Sequence, residues 1–416
     1  MKILFIHQNF PSQYSHLLKA LSRMGGHTLI GLGIEPTETA LPAGVMHVRY
    51  NMQRGNTPNI HPLILESESK VLRAEACTEA AAKMRQQGFM PDLICAHPGW
   101  GEALFLKEIW PHSPLLCYQE YFYHTTGLDC GFDPEFDSHA SWETKAKIRM
   151  KNSHLLHSLA IADWNLSPTH FQRQSFPAEW QHRFSTIHDG IDVLKASPAT
   201  KPINIVLPDG CQLNSGMPVV TFVNRTLEPY RGCHTMIRAI PALQQQSPEA
   251  EIVIVGDRRG VTYGAHCPEG EWCGQFLKEI EGQYNPSKVH FTGRIKHEHY
   301  LSLLKISACH VYLTYPFVLS WSLLEAMACG CPVVGSATAP VQELISDGEH
   351  GLLVDFFSPH DLAAAIHELL TNHERAQQLG KAARNRVVQH YSLETCIPRH
   401  LGLIELVSSG SLSSRH

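Results

Sequence analysis

The stretch that decides the fold runs from Tyr315 to Asp355 and reads YPFVLSWSLLEAMACGCPVVGSATAPVQELISDGEHGLLVD. Strand, turn, helix and strand signals follow one another there with almost no residue to spare. A β-rich run, His310 to Tyr315, enters it and stops at Pro316. The helix that follows has Ser320 or Ser322 as N-cap and Leu323, Leu324, Ala326 and Met327 as its apolar face. Gly330 stands where a helix end asks for a left-handed residue. Pro332, Val333 and Val334 open the next buried strand. Glu325 is the only charge inside this small apolar helix. A carboxylate has no packing role there, so it requires a polar partner. The free amides at the helix N-terminus, partly positive, suit phosphate.

Working outward, strands and helices alternate along the whole chain. Met1 to His7, His27 to Ile34, Pro91 to Ala96, Pro114 to Tyr118 and Trp164 to Ser167 read as strands. Between them Tyr14 to Arg23, Leu63 to Gln87 and Trp142 to Ile161 read as helices. Residues 194–218 hold four prolines and no sustained periodicity, and read as a linker. A second strand-helix series follows, with strands at Val219 to Asn224, Glu251 to Gly256, Val289 to Thr292, His310 to Tyr315 and Pro332 to Gly335. Such alternation implies doubly wound parallel sheets, with ligands at the carboxyl ends of the strands. The expected division is a domain at 1–193, the linker at 194–218, a second domain at 219–390, and a segment at 391–416 with a helix and a frayed tail.

The 416 residues are enough for two or three cores. The net charge of -5 gives no general attraction to nucleic acid or an anionic membrane. The apolar run at the N-terminus stops at Ile6, too short for a signal peptide, and no stretch reaches the length of a membrane span. The 12 cysteines are scattered without a Cys-x-x-Cys, which reads as reduced core thiols. His154, His157, His297 and His299 mimic metal spacing but read as surface histidines.

The stretch from Ser322 to Val334, SLLEAMACGCPVV, together with Ala339, Pro340, Glu343 and the Asp347-Gly348…Gly351-Leu352-Leu353-Val354 turn, resembles the nucleotide-sugar end of glycosyltransferase family four. That family is retaining and has the GT-B fold, two Rossmann-like domains facing a cleft. Glu325 matches the second Glu of the family's Glu-x7-Glu pair, which implies a contact with the nucleoside ribose. Eight positions earlier the family has another Glu, and this chain has Phe317, then Val318, at what would be the donor sugar pocket.

The resemblance implies further roles. Arg225 and Arg231, six residues apart after the strand of VTFVNRTLEPYRG, would clamp the donor diphosphate, because guanidinium groups meet phosphate oxygens in pairs. Backbone amides of Leu319, Ser320, Trp321 and Ser322 would cap the phosphates. Arg294 and Ile295 follow the strand whose turn meets the nucleoside. In the first domain Glu120, His97 and His124 are the candidates for the catalytic position beside the sugar. His188, Asp189 and Gly190 would border the cleft. The family also brings the loop after the first strand, here Asn9 to Ser12, toward the donor, but no glycine stands there to let the backbone approach.

No Asp-x-Asp occurs in the chain, so no metal is expected on the diphosphate, and no cofactor beyond the nucleotide diphosphate sugar as co-substrate. No G-x-G-x-x-G follows the first strand, which argues against a dinucleotide oxidoreductase. The expected partners are that donor and a sugar-containing, lipid-linked or small-molecule acceptor, with no nucleic acid. Lys145, Lys147, Arg149 and Lys151 on one helix can rest on anionic lipid, whereas Glu143 and nearby histidines favour an ordinary solvated face. The expected location is cytoplasmic, with peripheral contact at the inner face of a membrane left open. A nucleotide-sugar epimerase, and a glycan- or nucleotide-binding subunit without catalysis, are the alternative readings.

Overall fold

The computed structural model describes residues 1–37, 40–136 and 141–412. It divides into two compact units, one formed by Met1–Gly190 with Leu393–His416 and the other by Ile191–Ser392.

The first unit is built on a seven-stranded sheet: β1 (Lys2–Ile6), β2 (Thr28–Gly33), β3 (Val45–Arg49), β4 (Leu93–Ala96), β5 (Leu115–Tyr118), β6 (Trp164–Ser167) and β7 (Phe184–Thr186). Their order is 3-2-1-4-5-6-7, and every pair is parallel. The run Ile3–Ile6 explains why both faces must be covered. Ile3 and Phe5 enter one core, with Leu17, Leu18 and Leu21 of helix Ser15–Met24 and Leu403 and Ile404 of helix Leu393–Ser408. Leu4 and Ile6 enter the opposite core, with Cys77, Ala81 and Met84 of helix Leu65–Gln86. An uninterrupted apolar strand is what a sheet buried on both sides needs.

The second unit holds an antiparallel hairpin, β8 (Asn204–Val206) and β9 (Gln212–Asn214), and a six-stranded parallel sheet: β10 (Val219–Thr226), β11 (Glu251–Asp257), β12 (Val289–Gly293), β13 (Cys309–Tyr312), β14 (Val333–Ser336) and β15 (Leu352–Val354). The sheet order is 12-11-10-13-14-15. Strand order reverses between β1 and β4 in one unit and between β10 and β13 in the other, which makes two topological switch points.

Residues 194–218 differ from an open linker. They carry the hairpin, whose Leu207 and Leu213 are buried against Val219, Val253 and Leu303. The helix expected over 142–161 is two helices, Trp142–Lys151 and Ser153–Ile161. Asn152 stands between them, its side chain exchanging two hydrogen bonds with the Tyr123 backbone, at 2.9 and 2.7 Å. That exchange fixes the loop to the helix junction and accounts for the break. None of the 12 cysteines, all within the described residues, forms a disulfide, and ten are buried. Among the described residues no helix is long and apolar enough to cross a membrane. The last four residues of the expected frayed tail lie outside the described residues.

Candidate active site

In the second unit the site residues gather at the carboxyl ends of β10 and β13, at the switch point. After β10 the chain makes a turn of 3-10 helix, Pro229–Arg231, and Gly232 redirects it into helix Cys233–Gln246. Gly232 has φ +68, and a Cβ there would strike the Leu313 side chain. Glycine alone lets the turn lie against the end of β13. Arg231 is thereby buried. It donates to Thr314 Oγ1 at 2.6 Å and to the Val318 carbonyl at 3.0 Å. The rings of Tyr263 and Phe317 flank its guanidinium at 5.0 and 5.8 Å. Phe317 is buried as well, edge-on to Tyr230 and Tyr263. Arg225 differs. It is exposed and has no hydrogen-bond or ion-pair partner among the described residues. The two arginines are therefore unlike: one cation is free, and the other is engaged inside an aromatic layer.

Sequence reasoning missed Glu228, which organises that layer. Its buried carboxylate accepts from Thr226 Oγ1 at 2.7 Å and from the amides of Thr262, Tyr263 and Gly264, each at 3.1 Å. This holds the 262–264 loop in place and puts the Tyr263 ring over Arg231. The only signal was an acidic residue just past a strand end.

The helix carrying Glu325 spans Trp321–Ala328. Ser320 is its cap, accepting from the Ser322 amide at 3.2 Å, and the Ser320 amide donates to Tyr312 Oη at 2.9 Å. Of the four amides expected to meet phosphate, those of Ser320 and Ser322 are thus engaged within the protein. At the other end the Gly330 amide bonds Met327 O and the Cys331 amide bonds Ala326 O, with Gly330 at φ +72: a Schellman closure. The partner required by Glu325 is His297, whose Nε2 lies 2.7 Å from Glu325 Oε1. The hydrogen bond to Glu325 raises the His297 pKa above its ordinary value. His297 is thus not an idle surface histidine, although its ring is mostly exposed. Arg294 is exposed, with Nε 3.8 Å from Asp257 at the end of β11, and Ile295 packs on the cores beneath.

In the first unit His7, His97 and Glu120 stand just past β1, β4 and β5. His97 is buried, accepts from the Gly99 amide at 3.1 Å, and packs on Trp100 at 4.6 Å and Tyr118 at 5.5 Å between centroids. Its Nε2 lies 3.7 Å from Glu120 Oε2. The Tyr118 hydroxyl donates to Asp189 Oδ2 at 3.0 Å, which links that residue to the same group. His7, unnoticed in the sequence, lies 5.1 Å from the His97 ring. Burial first, then His97, push its pKa well down. His124 is not joined to the pair: its Nε2 lies 2.6 Å from the Ser175 carbonyl. His154 also departs from expectation. It is buried, sits 3.0 Å from the Gly99 carbonyl, and has its pKa lowered to about 3, chiefly by burial. In the loop after β1, Ser12 takes the left-handed backbone at φ +41, a conformation usual for glycine.

Two family models match, one described as glycosyl transferase family 4 group over residues 25–196 and the other as glycosyl transferases group 1 over residues 209–386. Together they cover most of the chain, which therefore belongs to the glycosyl transferases. One relative is an uncharacterized glycosyltransferase of Methanocaldococcus jannaschii, 28% identical over 185 residues, 44% of each chain. Another is a GDP-mannose-dependent alpha-(1-6)-phosphatidylinositol monomannoside mannosyltransferase of Mycolicibacterium smegmatis, 28% identical over 202 residues, 46% of this chain and 48% of that one. The matches span about half the length of these relatives. A sucrose-phosphate synthase from Thermosynechococcus elongatus has the same GT-B fold, with a TM-score of 0.70 at 20% identity over 99% of this chain and 100% of that one. In this glycosyl transferase, Arg225, Arg231, Phe317 and Glu325 lie in the stretch matched by the group 1 model, and His97, Glu120 and His124 in the family 4 stretch.

Proposed function

We propose that the chain is a retaining glycosyltransferase that moves a sugar, most simply a hexose, from a nucleotide diphosphate sugar to an acceptor hydroxyl, without a metal on the diphosphate. The observation that carries this reading is the pairing at the switch point of the second sheet: the exposed guanidinium of Arg225 close in sequence to the buried Arg231, with the Glu325 helix following β13, the strand beside β10. In this reading Arg225 takes the diphosphate charge directly. Arg231 adds fixed positive potential from beneath and shapes the floor with Phe317. Glu325, steadied by His297, accepts the ribose hydroxyls, and Arg294 and Ile295 border the base. A relative whose name includes GDP-mannose supports a nucleotide-sugar donor.

The transfer is front-face. The bond from the anomeric carbon to the phosphate oxygen breaks, the acceptor oxygen bonds to the same face, and its proton passes to the leaving phosphate. Positive charge on the sugar exists only near the transition state, so an anion such as Glu120, backed by His97, acts on the rate more than on donor affinity. Phe317 in place of a hydroxyl-binding carboxylate favours a donor sugar with a less polar face. A thermal-shift panel of UDP-, GDP-, ADP- and TDP-sugars selects the donor, and proton NMR of the product reads its anomeric configuration. Retention is expected, and an inverted product would contradict the mechanism.

A further inference from the structure

A second polar cluster lies at the opposite end of the same sheet. Glu251 is the first residue of β11 and His290 the second of β12, so both sit at the amino ends of their strands. The tip of the β8–β9 hairpin brings Asp209 and Cys211 beside them. His290 Nδ1 lies 2.6 Å from Asp209 Oδ2, and its Nε2 lies 2.9 Å from Glu251 Oε2. Lys288 donates to the other Glu251 oxygen at 2.8 Å and lies 3.9 Å from Glu249. A His290 ring nitrogen, a Glu251 oxygen and the Cys211 sulfur all lie within 4.8 Å of one another. Glu251 and His290 are buried and Cys211 half-buried.

A neutral imidazole carries one N–H, yet both ring nitrogens of His290 face carboxylate oxygens. With the proton on Nδ1 and given to Asp209, Nε2 and Glu251 Oε2 oppose two lone pairs across a buried gap. A positive centre belongs between them, either a second proton or a metal ion. A carboxylate that fixes the tautomer of a histidine and aims its other nitrogen at further donors is the usual outer support of a metal ligand. Thiolate, imidazole and carboxylate together suit Zn²⁺.

We propose that Cys211, Glu251 and His290 bind Zn²⁺, with Asp209 holding His290 from behind. Charge balances. The divalent charge meets the Cys211 thiolate and the Glu251 carboxylate, and the other Glu251 oxygen keeps its bond from Lys288. The ion ties the hairpin tip to the edge of β11 and β12. Its distance from the carboxyl ends of the strands makes it a structural ion, separate from donor binding.

Cobalt(II) titration of the full chain, freed of metal, tests this. One equivalent should produce a thiolate-to-cobalt band in the near ultraviolet with visible d–d bands, which Zn²⁺ then bleaches. Zn²⁺ should also raise the melting temperature. Cys211→Ser should lose the thiolate band and the thermal response. Asp209→Asn, at the exposed turn, should bind about tenfold more weakly, and it keeps the test open if Cys211→Ser does not fold. Absence of a stoichiometric thiolate band in the wild type, the same band in Cys211→Ser, or unchanged affinity in Asp209→Asn would each overturn the proposal.

Discussion

Arg225 and Arg231 carry the same charge in the sequence, and burial separates them. Removing Arg225 takes away an exposed side chain without a partner among the described residues and should leave the melting temperature unchanged. Removing Arg231 leaves Thr314 Oγ1 and the Val318 carbonyl without their donor and opens a gap among Tyr263 and Phe317. Arg231→Ala should therefore melt clearly lower, because an acceptor left buried and unpaired costs about 1–3 kcal/mol. Equal melting temperatures for the two variants would refute this division.

Glu325 and His297 give a pH test. The folded pKa of His297 is raised by its bond to Glu325, so the contact stabilises the fold fully below the ordinary histidine range and is lost as pH rises through the raised value. NMR titration should place His297 above its usual pKa in the wild type and return it to the usual range in Glu325→Gln. That variant should also bind nucleotide more weakly, with the helix intact because Gln is a good helix former. That Glu325 needed a partner was readable from the chain. The partner was not, since His297 lies 28 residues away on another helix. At the proposed catalytic position, Glu120→Gln should lower turnover about a hundredfold or more with nucleotide affinity near wild type, and His97→Ala should cost less. Steady-state kinetics with the chosen donor decide between them. A barely altered Glu120→Gln beside an inactive His97→Ala or His124→Ala would move the role to a histidine.

Among the elements, the 262–264 loop takes its backbone anchors from Glu228. Glu228 satisfies three consecutive amides there, so Glu228→Ala should free the loop and release Tyr263 from Arg231. Hydrogen exchange at Thr262, Tyr263 and Gly264 should speed up well ahead of the core strands. Protection equal to wild type would mean that the loop is held by other contacts. The central strands and the long helices were legible because an apolar strand buried on both faces, or a helix with one apolar stripe, writes its period into the chain. The edge strands β3, β7 and β15 were not. β3 has no fully buried residue, and β7 and β15 are three residues each, so none leaves a period to read. The break at Asn152 was hidden for another reason. Its cause is a hydrogen bond to Tyr123, 29 residues earlier. The hairpin inside 194–218 was masked by prolines and by strands of three residues.

For the molecule as a whole, the same strand order occurs twice, with a seventh strand in the first unit, and each unit brings its chemistry-bearing residues to the carboxyl end of its own sheet at the switch point. The sequence disclosed that plan through alternation alone. It disclosed little of how each cluster is wired, because Glu228, His7 and His297 act through contacts that only folding creates. The central claim is that protein cations at the second switch point, and no divalent ion, hold the donor diphosphate. Calorimetry in magnesium- and manganese-free buffer tests it most directly, with UDP, GDP, ADP, TDP and the matching nucleosides titrated into wild type and Arg225→Ala. A charge-assisted contact contributes roughly 1.5–3 kcal/mol. One diphosphate should therefore bind the wild type without added metal and weaken about tenfold or more in Arg225→Ala, while its nucleoside is far less affected. Binding that requires a divalent ion, or an equal loss for diphosphate and nucleoside, would contradict the account.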